Sequence, residues 1–227
     1  MGRKTSAERR KQIARTALDL IAGQGIKSCT TARLAAAVGV SSGALFRHFP
    51  SLDGILLEAV RYALSRIEQT FPPPNLPPLE RILRLVADRI RLFRAEPGIA
   101  WVLRSDQALL VLPEEALREV RAMMERSKAY LLEALREGVR ERSIRSEPAP
   151  EVLLVFIAGV IHTLGASGGP HREAIQGLTR RDDQVLETLR AFLAAEVSAV
   201  PGTPATRREE SDSVSQKETR RRHQDGN

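Results

Sequence analysis

The chain has 227 residues, 42% hydrophobic and only 4% aromatic, with one cysteine and a net charge of +7. That is enough apolar chain to build a real core in one or two domains, and the lone Cys29 excludes an internal disulfide or a Cys-based metal site. The charged opening residues predict no signal peptide, and the longest apolar run, Val152 to Leu164 with His162 inside it, is too short to span a bilayer, so no membrane association is expected.

The charge becomes informative once it is located. Residues 1 to 50 hold nine Lys or Arg against Glu8 and Asp19, whereas residues 51 to 227 hold 26 of each sign and sum to zero. A basic segment on a neutral body is the footprint of a polyanion partner, because neutralised phosphates release counterions. Ala, Leu, Arg and Glu dominate between proline clusters and no run alternates like a strand, so the fold is expected to be all-α.

In chain order, Ser6 to Gln24 reads as a helix capped at Ser6, with Ile13, Ala17, Leu20 and Ile21 along one stripe and Gly23 and Gly25 closing it. Arg9, Arg10 and Lys11 crowd its first turns, where cations are unfavourable, and this suggests an external anion. Cys29 reads as inert filler. Thr30 caps a short helix bearing Leu34, Ala35 and Val38, and Gly39 stops it in the left-handed conformation. Ser41 or Ser42 caps a second helix that turns Leu45 and Phe49 inward and leaves Ser42, Gly43, Ala44, Phe46, Arg47 and His48 facing elsewhere. Helix, glycine turn, helix is the unit that places its second helix in a DNA major groove.

Pro50 ends that helix and Ser51 caps the next, expected over Leu52 to Phe71 as a connector of about 30 Å. Phe71 to Pro78 is a proline-rich bend. Leu79 to Ala95, Ile99 to about Leu110 and a long helix from Pro113 to Arg142 follow, with punctuation at Glu96-Pro97-Gly98. Phe93, Trp101, Met123, Met124 and Tyr130 form the expected lining of a small-molecule cavity, with His162 a further candidate, although such stripes are more often plain core and such a histidine more often a hydrogen-bonded core or interface residue. Pro150 to Ala166 is apolar nearly all round and must be covered on both sides. With Asp182 to Val197 it offers a helix pair that a twofold axis doubles into a four-helix contact. From Ala199 onward the composition predicts a disordered tail, in which Arg220, Arg221, Arg222 and His223 are solvated rather than DNA-bound.

The ordered set Arg10-Lys-Gln-Ile-Ala-Arg-Thr-Ala17, Gly25, Thr30-Thr31, Leu34-Ala35, Val38-Gly-Val-Ser41, Gly43, Leu45-Phe46, His48-Phe49, Ser51 and Leu56-Leu57 resembles the N-terminal domain of the TetR family of one-component bacterial regulators. The resemblance implies a helix-turn-helix domain (1–50), a helical ligand-binding and dimerisation domain (51–198, its connector at 52–71) and the tail (199–227). It implies a cytoplasmic, nucleoid-associated homodimer on a near-palindromic double-stranded operator, most simply a repressor, released by an unidentified small-molecule effector. By position, Thr31, Phe46, Arg47 and His48 approach phosphates, while Arg33, Ser42, Gly43 and Ala44 face base edges. Phe46 and Leu52 depart from the Tyr and Lys often found there, and Arg47 with the Arg9 to Lys11 cluster is the expected compensation.

An enzyme is not expected. Gly39-Val-Ser-Ser-Gly43 spells G-x-S-x-G, but a nucleophile elbow needs a strand before it and here a helix precedes it. His48, His162, His171 and His223 lack metal-ligand grouping, and no cofactor motif is present. The competing reading is a protein of the same fold that sits on chromosomal sites and acts through a protein partner without any small-molecule response. A third is a dimeric scaffold whose DNA reader has decayed.

Overall fold

Thr5 begins the fold. Its hydroxyl accepts from the Glu8 amide while the Glu8 carboxylate accepts from the Thr5 amide, a reciprocal cap that opens α1 (Ser6–Gln24). The cap is therefore Thr5, one residue before the expected Ser6. The computed structural model of the chain describes residues 5–165 and 182–195. The expected loop after Gly165, the tail 199–227 and its Arg220 to His223 run lie outside the described residues.

Among those residues the chain forms ten α-helices and a short 3-10 turn at Ile26–Ser28. After α1 come α2 (Thr31–Val38), α3 (Ser42–Phe46), α4 (Leu52–Glu68), α5 (Pro78–Ala95), α6 (Pro97–Arg104), α7 (Asp106–Val111), α8 (Glu114–Arg140), α9 (Pro150–Leu164) and α10 (Asp182–Leu193). The protein is all-α, with the helix-turn-helix unit near its N-terminus. The connector α4 ends at Glu68, short of the expected Phe71, and Pro78 is already inside α5, where its missing amide and fixed φ suit the first turn. Glu96-Pro97-Gly98 is a corner rather than a gap, because Pro97 starts α6. The single helix expected from Ile99 to Leu110 is broken at Ser105 into α6 and α7.

The apolar stripes meet in two clusters. In one, Ile13, Leu34, Leu45, Phe49, Ile55 and Ile67 are sealed together with Ile99 and Ala116, so the small helices share their core with α4, α6 and the start of α8. In the other, Ile82, Leu85, Leu135, Ile144, Ile157 and Leu193 join α5, α8, α9 and α10. Gly98 allows α6 to approach α1: a Cβ there would lie 2.5 Å from the Leu18 carbonyl oxygen. Past α8 the chain doubles back, and Arg145 donates its amide to the Leu193 carbonyl at 3.0 Å, tying down the end of α10.

Candidate nucleic-acid interface

The reader is built by short-range capping and a few sealed side chains. Thr30 accepts from the Arg33 amide at 3.3 Å to start α2, and Gly39, at φ 74° and ψ 42°, supplies the left-handed residue that ends it. Ser41 is the cap of α3, accepting from the Ala44 amide at 3.1 Å. Leu45 and Phe49 are buried beneath α3, and this fixes which side of it faces out. Cys29 is buried under the same unit, and burial pushes its thiol up to about 11, the state of an inert apolar filler rather than a nucleophile.

The outward side carries every residue expected there. Ser42, Gly43, Phe46 and Arg47 are exposed, Ala44 and His48 are half-buried, and on α2 Arg33 is exposed and Thr31 half-buried. A Cβ on Gly43 would meet nothing within 4 Å, so packing does not require a glycine and the bare backbone lies open to a close approach. Phe46 is 47% exposed, unusual for a large aromatic with no partner element over it. Arg33 and Arg47 show no protein partner among the described residues.

The basic cluster on α1 is arranged differently from the expectation. Arg10 donates to the His48 carbonyl oxygen at 2.7 Å and to Glu58 at 2.9 Å, and its guanidinium lies 4.2 Å from the centroid of the Phe49 ring. It clasps α1, the end of the reader and α4 together. Arg9 donates to Gln12 at 3.1 Å and Lys11 sits 5.8 Å from the Tyr62 ring centroid. A sequence-level hint of this clasp existed in Phe49 and Glu58, the aromatic and acidic residues that receive Arg10.

α4 leaves the reader at Ser51, whose hydroxyl accepts from the Gly54 amide at 3.1 Å, and is fastened along its length. Arg61 contacts Glu115 at 2.6 Å and Glu119 at 2.8 Å on α8, Glu68 pairs with Arg126 on α8, and Arg66 meets Glu96 at 2.8 Å. Tyr62 also donates to Glu96, at 2.7 Å, and burial with that hydrogen bond pushes its phenol up to about 12.

Four of the six expected cavity residues come together. Phe93, Met123, Met124 and His162 line an open cavity of about 640 Å³ between α5, α8 and α9. Trp101 and Tyr130 do not. Trp101 packs on the first cluster, and Tyr130 lies edge-on to Phe71 at 5.1 Å and donates to the Pro72 carbonyl at 2.9 Å. Both expectations rested on residue type, which does not say towards which neighbour a helix face turns. His162, in the lining of this cavity, is exposed rather than held in the core. Arg89 is a cavity residue that the sequence reading missed; an arginine inside an apolar stripe at Leu85, Arg89 and Phe93 was the available signal. A second groove, of about 800 Å³, runs between α9 and α10 and is lined by Val155, Phe156, Val160, Val185 and Phe192. Among the described residues no group of His, Cys, Asp and Glu is placed to hold a metal ion, and no helix is long and apolar enough to cross a membrane.

A left-handed glycine turn between two capped helices, with an exposed basic and aromatic face on the second, defines a helix-turn-helix DNA-binding regulator. Residues 13–59 match the profile described as bacterial regulatory proteins, tetR family. The chain is 35% identical over 159 residues, 67% of its length, to the nucleoid occlusion factor SlmA of Vibrio vulnificus, covering 79% of that protein. Against SlmA of Haemophilus ducreyi it is 45% identical over 71 residues, 31% of this chain and 33% of that one. Two solved structures share the fold. The ketosteroid transcriptional regulator KstR2 of Mycobacterium tuberculosis superposes with a TM-score of 0.66 at 18% identity, over 83% of this chain and 96% of that one. AibR in complex with isovaleryl coenzyme A and operator DNA gives 0.66 at 19% identity, over 82% and 98%. The chain belongs to the TetR family and is a DNA-binding regulator.

Proposed function

We propose that this chain is a dimeric repressor that grips a near-palindromic operator with two copies of α3 and releases it when a small molecule enters the cavity between α5, α8 and α9. The observation that carries this reading is that α8 serves both sites. Met123, Met124 and Lys128 form one wall of the cavity, while Glu115, Glu119 and Arg126 of the same helix hold α4. A ligand that displaces α8 moves the helix that leads straight into the reader. Ligand then favours a conformer in which the two recognition helices leave the roughly 34 to 36 Å spacing of successive major grooves. Ligand and operator are reciprocally antagonistic. AibR, of the same fold, is solved in complex with isovaleryl coenzyme A and operator DNA, which supports a small-molecule site in this fold.

Within this reading the division of labour is a reader at 1–50, an effector and dimerisation part at 51–198 and a tail at 199–227. Thr31, Phe46, Arg47 and His48 contact phosphates, and Arg33, Ser42, Gly43 and Ala44 face base edges. The partner copy covers the apolar face of α9 and α10, where Val155 is 69% and Phe156 53% exposed. The test selects a duplex from random DNA and measures its affinity by fluorescence anisotropy, with and without compounds that raise the melting temperature. Weaker DNA binding with such a compound is expected; equal affinities end the reading.

The SlmA relatives favour a second reading, in which the same DNA-bound dimer acts through a protein partner with no small-molecule response. A metabolite screen in which nothing raises the melting temperature, together with many scattered chromosomal sites in a binding map, would decide for it.

A further inference from the structure

We infer that the cavity between α5, α8 and α9 takes an amphipathic organic acid, its apolar body among Leu85, Phe93 and Leu131 and its carboxylate held by Arg89. This rests on the proposal that the cavity is the effector site and names the class of compound it accepts.

Two arginines of α5 are equally buried, each 5% exposed, and they differ in what neutralises them. Arg81 is ion-paired with Glu137 of α8. Arg89, two turns further on and in the cavity wall, has no acidic partner: its Nε donates to the Thr70 hydroxyl at 2.9 Å, and its guanidinium lies 5.4 Å from the Phe71 ring centroid. Its Nη2 is buried and makes no hydrogen bond. The acid that acts on it at longer range, Glu68, is itself paired with Arg126. Burial pushes Arg89 down to about 10, so it still carries its charge at neutral pH. A buried cation with an unused donor is costly to keep in an apolar wall, and an anion that enters the cavity removes that cost. The planar guanidinium suits a carboxylate, to which it offers charge and directed donors together. Most of the remaining wall is apolar, with Leu85, Phe93 and Leu131 among it, and its polar part is Glu125, Ser127, Lys128 and His162. The other cation of the wall, Lys128, is already paired with Glu125 at 2.6 Å. A positive charge without an acidic partner, in a largely apolar cavity of about 640 Å³, matches a monoanion with a hydrocarbon body.

The test titrates decanoate and its uncharged counterpart decan-1-ol into the full chain by calorimetry, using wild type, Arg89→Met and Arg89→Gln. Decanoate is expected to bind wild type at least tenfold more tightly than decan-1-ol. Arg89→Met is expected to abolish that preference while still binding the alcohol, which also reports an intact cavity. If Arg89→Met binds neither probe, Arg89→Gln, which can keep a hydrogen bond to Thr70, decides by the same criterion. Equal binding of acid and alcohol to wild type, no saturable decanoate binding up to millimolar concentration, or a preference that survives neutralisation of Arg89 overturns the inference. Anisotropy of a bound duplex separates the two proposals. Arg89-dependent decanoate binding that leaves the duplex bound keeps the acid site and ends the effector reading. Release by another compound, with decanoate not binding, does the reverse.

Discussion

Arg10 and Arg47 carry the same charge and lie close to the same helix end, but Arg10 is bound to His48 and Glu58 while Arg47 is exposed without a protein partner among the described residues. The two substitutions therefore differ in kind. Arg47→Ala is expected to weaken binding to every duplex by a similar factor and to lower the salt slope by about 1, whereas substitution of Ser42 or Ala44 changes base preference by about 1–3 kcal/mol. Selection from random DNA with each variant measures this, and the reverse pattern would show that the phosphate and base faces have been exchanged. Cys29 gives a pH-dependent counterpart. Burial pushes its folded thiol up to about 11 from the ordinary 9.0, so between these values the unfolded chain loses a proton that the folded chain keeps. Stability contributed by the neutral thiol is present below pH 9 and falls through this window, by at most about 1.4 kcal/mol per pH unit. Urea titrations from pH 8 to 11 should show a steeper alkaline loss in wild type than in Cys29→Ala; parallel slopes would refute the assignment.

At the scale of the helices, most starts and stops are local chemistry and were legible from the chain. Thr30, Ser41 and Ser51 each cap the helix that follows, and Gly39 ends α2 by adopting a backbone conformation that side-chain-bearing residues rarely take. The misplaced boundaries fall where a proline can serve either side of a turn. Pro78 and Pro97 both open helices, and Ser105 divides α6 from α7 with no glycine or proline to announce it. Gly98 likewise looked like punctuation, but inside α6 it is the contact with α1. Gly98→Ala places a methyl 2.5 Å from the Leu18 backbone oxygen and is expected to cost about 1–3 kcal/mol as the two helices are forced apart. Denaturant unfolding is the check: the midpoint should fall with the slope unchanged, and an unaltered midpoint would mean that α6 shifts freely.

For the whole molecule the decisive feature is the face of α9 and α10 that the described residues leave uncovered. Val152, Val155 and Phe156 are exposed at 45%, 69% and 53%, and the Phe156 ring lies 5.4 Å from that of Phe192, tilted against it by 54°. If the partner copy covers this face, Phe156→Glu desolvates a charge in the contact and should produce a monomer that retains the helical signal but loses most operator affinity, since each half-site is then bound singly. Analytical ultracentrifugation and anisotropy read the two effects. A variant that stays dimeric would move the interface elsewhere.

Helical class, the glycine turn, the caps at Thr30, Ser41 and Ser51 and the outward set on α3 follow from the sequence by itself, because each depends on residues within about four positions of one another. Only the tertiary structure decided that Arg10 serves the fold, that Trp101 and Tyr130 turn away from the cavity, and that Arg89 stands buried in its wall. Those outcomes depend on which face of a helix meets a segment 30 to 60 residues away, and one-dimensional spacing carries no record of that neighbour.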